Sequence, residues 1–450
     1  MSELLGPDRL AEAIEPALRT AADGTLVVAV HTAGGLTRFA SSRIHQNTHR
    51  EDLEIRVMAV ADGSRVGVAT THSPAGDRVA AAAADALAIA RVTPRNPSFP
   101  GIAEPQPLAA NPPDRFDEAT AVTSPAERAA AVTLALNEFP ADMEGAGAVE
   151  TVADEVMVAT SGGVRHYGRI TRAAISVMAM SPDSSGYAEL IEGRLSDLDP
   201  AALGARSVRK AEAGRNPQPI DAGSYTVILE PAATSTLMQF LGWLGFGAKS
   251  LLEERSFMAG KIGATIMDER VTITDDPLAV DALGLPFDFE GTPAQPVMLI
   301  DKGVAAGVVW DRETAGRGGR TSTGHGLPAP NPDGPFPLNL RMEPGTDSLD
   351  DLIAGCERGL LVTRFHYSNI VHEKDAILTG MTRDGTFWVE DGKVRHGVRN
   401  LRYTQNAVEA LSNIEAIGDT TEISSELFFG GSRAPALRIR DFKFSSTTDH

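Results

Sequence analysis

The chain has 450 residues, 42% of them hydrophobic and 22% charged, a composition that suits two or three packed cores and argues against a disordered chain. Its 60 acidic and 41 basic residues give a formal net charge of -19, which argues against sequence-independent nucleic-acid binding, because such binding neutralises phosphates with Lys and Arg. The single cysteine, Cys356, excludes an internal disulfide and any CxxC metal or redox site, and within GCERGLLV it reads as a small buried hydrophobe.

At the N-terminus, MSELLGPDRLAEAIEPALRTA mixes acids with apolar residues and lacks the basic start and unbroken apolar core of a secretory signal. No stretch reaches the roughly 20 apolar residues that span a bilayer, so the expectation is a cytoplasmic protein without a membrane partner. Val28–Leu36 and Val156–Val164 each read as a strand, a Gly-Gly turn and a strand, with the turns at Gly34-Gly35 and Gly162-Gly163. Ile55–Val60 and Ile175–Met180 match in the same way, which makes the first half an internal quasi-repeat. Ala-rich helices are predicted over Arg78–Arg91 and Pro125–Glu138, the second started by a Ser124 cap and Pro125 in its first turn. Between the copies, Thr93–Arg115 carries Pro94, Pro97, Pro100, Pro105, Pro107, Pro112 and Pro113, which predicts an extended linker. A helix over Pro200–Ala213 precedes a second break at residues 214–219.

Tyr225–Leu229 reads as a strand running into a helix that has Pro231 in its first turn, with Leu237, Phe240, Leu241 and Leu244 forming one apolar stripe before Gly245 and Gly247. Further strands are expected at Ala264–Ile273, Val297–Ile300, Val304–Trp310, Leu338–Met342, Leu360–His366, Ala376–Thr379, Thr386–Glu390 and Leu437–Phe444. The fold class is therefore α+β. An N-terminal domain (1–93), a Pro-rich linker (94–119) and a central domain (120–215) form an α/β sandwich-like part with the internal repeat. Residues 216–450 form a large antiparallel, barrel-like β domain, because so many strands need their edges closed or covered.

Separate motifs in order carry a family resemblance: SRIHQNTHREDLEIRV, the segment Tyr225–Gly263 ending RSFMAGKIG, TITDDP, FDFEGTP, RTSTGHG, LTGMTRDGTFWVEDGK and APALRIRDFKFSS. Over nearly its whole length the chain resembles the TldD/PmbA family. The resemblance implies dimers enclosing a cavity in which unfolded peptides are cut by a zinc site. In the TldD branch that site carries His-Glu-x-x-x-His at the strand-helix junction and a late cysteine. Here Glu230, Pro231 and Ser235 stand in the three places, and Cys356 has no comparable motif around it. Zinc needs imidazole, thiolate or carboxylate ligands and an open position for water, and Glu230 alone could ligate. The resemblance thus points to the TldE/PmbA-like branch, a subunit with no catalytic residue and no metal of its own. Its expected partner is a zinc-bearing TldD-like paralogue, or a second copy of itself, and its expected substrate an unfolded or modified peptide. Two rivals are an autonomous homodimeric peptide-binding protein and a metallopeptidase with a non-standard site.

The candidate non-standard site is His366, His372 and Glu373. Along one strand the two imidazoles would stand about 20 Å apart, so a turn at Ser368-Asn369 is required to bring them together, with His325 as a further ligand. The loop residues Arg320, Ser322, Thr323, Gly324 and His325 read as a flexible loop lining a cavity and contacting peptide. Asp288 and Glu290 are expected on one face of a strand, hydrogen-bonded to loops, and Asp275-Asp276 as a turn cap. His45 and His49 lie four apart in strand or loop, without helical ligand spacing, and GWLGFGAKS departs from the P-loop pattern at Ala248.

Overall fold

The computed structural model describes residues 4–109, 112–424 and 431–447. Helix α1 (Gly6–Leu18), strands β1 (Gly24–Ala40), β2 (Arg43–Ala61) and β3 (Arg65–Thr71) and helix α2 (Gly76–Val92) form a first unit. After a short α3 (Glu118–Ala121), the same order returns as α4 (Pro125–Leu136), β4 (Glu144–Thr160), β5 (Arg165–Met180), β6 (Ser185–Glu192) and α5 (Pro200–Ala213). Both units belong to one six-stranded antiparallel sheet, ordered β3-β2-β1-β4-β5-β6, because β1 pairs with β4 through the centre.

The helices cover one face of this sheet. Leu10, Ile14, Val79 and Ala83 pack on Val27, Ile55 and Val57, and Val132, Ala135 and Leu203 on Val149, Ile175 and Val177. On the opposite face, Leu26, Val28, Met58 and Val158 meet Phe99 and Ile102 of the Pro-rich segment and Phe287 of the second half. The Pro-rich segment is without regular structure up to residue 109, and residues 110 and 111 lie outside the described residues.

One register differs from expectation. Gly34 and Gly35 lie inside β1, and the chain turns at Ser41-Ser42, whereas Gly162-Gly163 does form the turn after β4. The reason is space: a Cβ on Gly34 would stand 2.8 Å from the Thr151 carbonyl oxygen, and one on Gly35 would stand 2.2 Å from the Arg128 guanidinium. These glycines serve close approach within a sheet, which sequence patterns render the same way as a turn.

The second half contains β7 (Gly223–Leu229), α6 (Pro231–Gly245), α7 (Ala248–Leu252), β8 (Ile273–Asp275), β9 (Val297–Asp301), β10 (Val304–Ala305), α8 (Arg312–Gly318), β11 (Asn339–Met342) and α9 (Leu349–Ala354). It continues with β12 (Arg358–His372), β13 (Ile377–Glu390), β14 (Lys393–Gly397), β15 (Leu401–Asn406), α10 (Ala407–Ser412), β16 (Ile414–Ser424) and β17 (Gly431–Thr447). Five strands close a ring, β7-β12-β13-β15-β17 and back to β7, which removes their edges. Pairing is mixed and not purely antiparallel, since β7–β12 and β11–β17 run parallel.

Two expected strands shrink. In Ala264–Ile273 only Ile273 is in a strand, because the amides of Ile266 and Met267 go to the Gly303 carbonyl and that of Asp268 to Leu411. Val304–Trp310 keeps two strand residues; Ala306 turns back to Leu299, and Val309 bonds Phe246 at the end of α6. Ala376–Thr379 and Thr386–Glu390 merge into β13, and β14, β15 and β16 were not expected.

Candidate functional site

The strand-helix junction forms as its residues dictate. Leu229 is bracketed by Val362 of β12 and Leu437 of β17, and the Glu230 amide donates to the Val362 carbonyl at 3.0 Å. Glu230 takes the N-cap position and Pro231 the first turn, where its missing N–H has no partner to lose. Leu237, Phe240, Leu241 and Leu244 are all buried, as are most other residues of α6. A helix apolar on nearly every side is a core helix, and this one packs chiefly against β17, β12 and β16.

Glu230 does not cap the helix with its side chain. Its carboxylate instead pairs with the Lys210 ammonium, which reaches across from α5 and also donates to the Tyr187 carbonyl at 3.0 Å. Both side chains are almost fully covered, with 12% and 9% exposed. Burial pushes the Lys210 pKa down, while Glu230 works against that shift. Thr363 Oγ1 stands 3.5 Å from the second Glu230 oxygen.

Further ion pairs surround this one. Arg206 binds both oxygens of Glu422, at 2.5 and 3.2 Å, and the Glu189 carbonyl at 2.9 Å. Arg364 binds Asp384 at 2.5 Å, lies 4.0 Å over the Tyr187 ring, and Ser185 donates to the same Asp384 at 2.7 Å. Together these groups make a polar layer joining β6 and α5 of the first sheet to β12, β13 and β16 of the second.

Ser235, one turn into α6, donates to the Ser424 carbonyl at 3.1 Å and accepts from Gln239 Nε2 at 3.1 Å. The three positions therefore offer zinc little. The Glu230 carboxylate is held by an ammonium, Pro231 has no ligating side-chain atom, and the Ser235 hydroxyl is engaged with backbone. These residues do not fit a zinc ion. Among the described residues no group of three or more His, Cys, Asp or Glu side chains stands where it could hold a metal.

His366 and His372 lie on β12 and Glu373 in the turn that follows it, and the three turn to different neighbours. No turn forms at Ser368-Asn369; the strand continues through bulges to His372, with Tyr367 at φ 50°. His372 Nδ1 pairs with Asp375 at 3.2 Å, Glu373 pairs with Arg255 at 3.5 Å, and His366 packs edge-on against Tyr367.

His325 is elsewhere, buried with its Nε2 2.8 Å from the buried Asp275 carboxylate. The expected flexible loop is tied down. Thr323 exchanges bonds with Trp310, its carbonyl accepts from the Gln295 amide at 3.0 Å, and Ser322 donates to the Trp310 carbonyl at 3.1 Å. Gly324 and His325 are buried, while Arg320 is exposed.

Asp288 and Glu290 lie in a turn and not on a strand. Asp288 accepts from the amides of Glu290, Thr292 and Gly326, and Glu290 from the Arg312 amide. Burial raises both pKa values, and for Glu290 the nearby Asp288 and Asp311 add to it. Cys356 is buried among Leu352, Phe387 and Val389. Lys210, Arg206 and Glu422 were missed as site residues because nothing in their local sequence marks them; only the Pro200–Ala213 helix was legible.

Comparison with known proteins gives consistent matches. Residues 222–446 match the model of the PmbA/TldA metallopeptidase C-terminal domain, and residues 112–215 that of the central domain of the same family. A metalloprotease of Methanothermobacter thermautotrophicus is 26% identical over 303 residues, covering 62% of this chain and only 64% of that protein. A metalloprotease PmbA homologue of Haemophilus influenzae is 25% identical over 442 residues, 94% of this chain and 93% of that one. The crystal structure of TldE from Thermococcus kodakarensis superposes with a TM-score of 0.87 at 20% identity, over 97% of this chain and 100% of that one, which shows a shared fold.

Proposed function

The chain belongs to the PmbA/TldD metallopeptidase family, and we propose that within it this chain is a TldE/PmbA-like subunit with no zinc site of its own. Its work is to complete a peptide-cutting assembly with a zinc-bearing, TldD-like paralogue in the cytoplasm. Hydrolysis of unfolded or modified peptides belongs to that partner. This chain supplies part of the enclosing wall, with the Arg320–His325 loop as the candidate peptide contact and Arg320 its exposed member.

The observation that carries the reading is the Lys210–Glu230 pair at the junction. An ammonium stands against the one carboxylate that could have ligated a metal, and the side chains at Pro231 and Ser235 add no ligand. The fold around the site is kept while its chemistry is spent on joining the two sheets.

The test is metal analysis and peptide cleavage with the purified chain, alone and mixed with a paralogue bearing His-Glu-x-x-x-His. The expected result is no stoichiometric zinc and no cleavage alone, and cleavage in the mixture that exceeds the paralogue's own. Stoichiometric zinc together with chelator-sensitive cleavage by the chain alone would overturn the proposal.

A further inference from the structure

At the outer edge of β5 the Pro-rich linker runs past the strand without closing on it. The Thr171 amide donates to the Arg115 carbonyl at 3.0 Å, so the backbone groups of Arg169 and Tyr167, two and four residues earlier, face the linker as well. There the linker presents Pro112 and Pro113, which have no N–H to give. Among the described residues no backbone partner reaches Arg169 or Tyr167 from this side. A cavity of about 260 Å³ remains, walled by Pro112, Pro113, Ile170, Leu285 and Pro286, with Arg115 in its lining.

Arg115 gives the cavity its charge. Its two terminal nitrogens donate to the Gly284 carbonyl and, at 2.7 Å, to the Ala279 carbonyl, while Nε is buried without a partner. A guanidinium carries five N–H groups, so more than half of its donors are unspent. Among the described residues no carboxylate pairs with it. Asp281 is taken by Arg341 and Arg433, Asp276 by the Leu278 amide, and Asp114, the acid in the cavity wall, by the Phe116 amide. Burial lowers the Arg115 pKa, against the pull of Asp276 and Asp281. Arg169 turns its own guanidinium away, 4.0 Å over the Phe116 ring and 3.0 Å from Glu118.

We propose that this cavity binds the C-terminal residue of a short peptide, with its carboxylate on Arg115, its amide N–H on a carbonyl of the β5 edge and an apolar side chain against Pro112, Pro113 and Leu285. Each part of the site asks for one part of that ligand. A planar guanidinium suits a carboxylate, an unpaired strand carbonyl needs an N–H, and proline and leucine walls favour an apolar group. An inorganic anion would meet only the first of these needs. Hydrolysis of a peptide bond leaves a new carboxylate on one fragment, which is the end this cavity would hold. The choice of a peptide rests on the role proposed above. Binding is measured on the chain alone, without paralogue or zinc, so its failure and a failure of cleavage in the mixture are separate results.

Calorimetric titration of the full chain with N-acetyl-leucine and with N-acetyl-leucinamide, in which an amide replaces the carboxylate, tests the proposal. The acid is expected to bind with a Kd of about 1 mM and the amide about tenfold more weakly. Arg115→Met should weaken the acid about tenfold with little effect on the amide. Arg115 also holds two carbonyls, so Pro112→Trp, at an exposed position in the wall, decides the matter if R115M does not fold. Its ring should fill the cavity and weaken both probes about tenfold. No binding of the acid at about 10 mM overturns the proposal, as does equal binding of acid and amide. Binding that Pro112→Trp and a folded R115M both leave unchanged overturns it too, and so does acetate binding as tightly as N-acetyl-leucine.

Discussion

Lys210 of α5 and Glu230 at the start of α6 form a buried ion pair that joins the two sheets of the molecule at the place where the family resemblance sets a zinc motif. The Arg206–Glu422 pair stands close enough to act on both charges. Breaking a buried pair strands one charge without water, which costs more than the pair itself contributes. Lys210→Met is therefore expected to destabilise the fold by roughly 3–5 kcal/mol, and the double change K210M/E230Q by distinctly less, because it leaves no lone charge. Chemical denaturation of the three proteins checks this; equal losses for single and double variants would show that the pair is solvated.

The Lys210 ammonium also sets a positive charge against any cation placed at this junction. Installing Glu230→His, Pro231→Glu and Ser235→His while Lys210 remains keeps an ammonium beside the new ligands. Adding Lys210→Ala should tighten zinc binding by about tenfold, near 1.4 kcal/mol, as read by competition with a chelator. Equal affinity with and without Lys210 would mean that its charge does not reach the site.

Acidity acts at the turn that holds the RTSTGHG loop. Burial raises Asp288 and Glu290 above the ordinary carboxylate range, so the folded protein holds protons that the unfolded chain has released. Where the folded state binds more protons, stability falls as pH rises. The expected loss runs from the ordinary carboxylate range up through the raised folded values and is flat beyond them. Glu290→Gln should make the melting temperature less dependent on pH across that interval, and an unchanged slope would assign the dependence to other groups.

Gly35 in β1 offers a test of packing. A methyl group there collides with the Arg128 guanidinium, which is buried and donates to Thr37, the Thr123 carbonyl and Thr151. Displacing it leaves buried donors unpaired, so Gly35→Ala should cost roughly 2–3 kcal/mol in urea unfolding. A neutral substitution would show that Arg128 has an alternative place.

The helices at Gly76–Val92, Pro125–Leu136 and Pro200–Ala213 were legible because alanine periodicity, Ser124 and Pro200 are local signals. The β7-α6 junction was legible for the same reason. Gly34-Gly35 misled, since a glycine pair signals a turn and a close sheet contact alike. Ala264–Ile273 misled because β-branched residues fit a strand whether or not a neighbouring strand is there to receive their amides.

What the sequence by itself determined is the α+β class, the internal repeat, the junction at Glu230 and the resemblance to one family, all carried by residues near one another in the chain. Only the tertiary structure decided that the two repeats share one sheet, that five strands close a ring, and that Lys210 meets Glu230. Those outcomes depend on which distant surfaces are buried against each other. The Lys210–Glu230 pair forms because folding removes water from both charges at once, and no local pattern announces which lysine will be brought to which carboxylate.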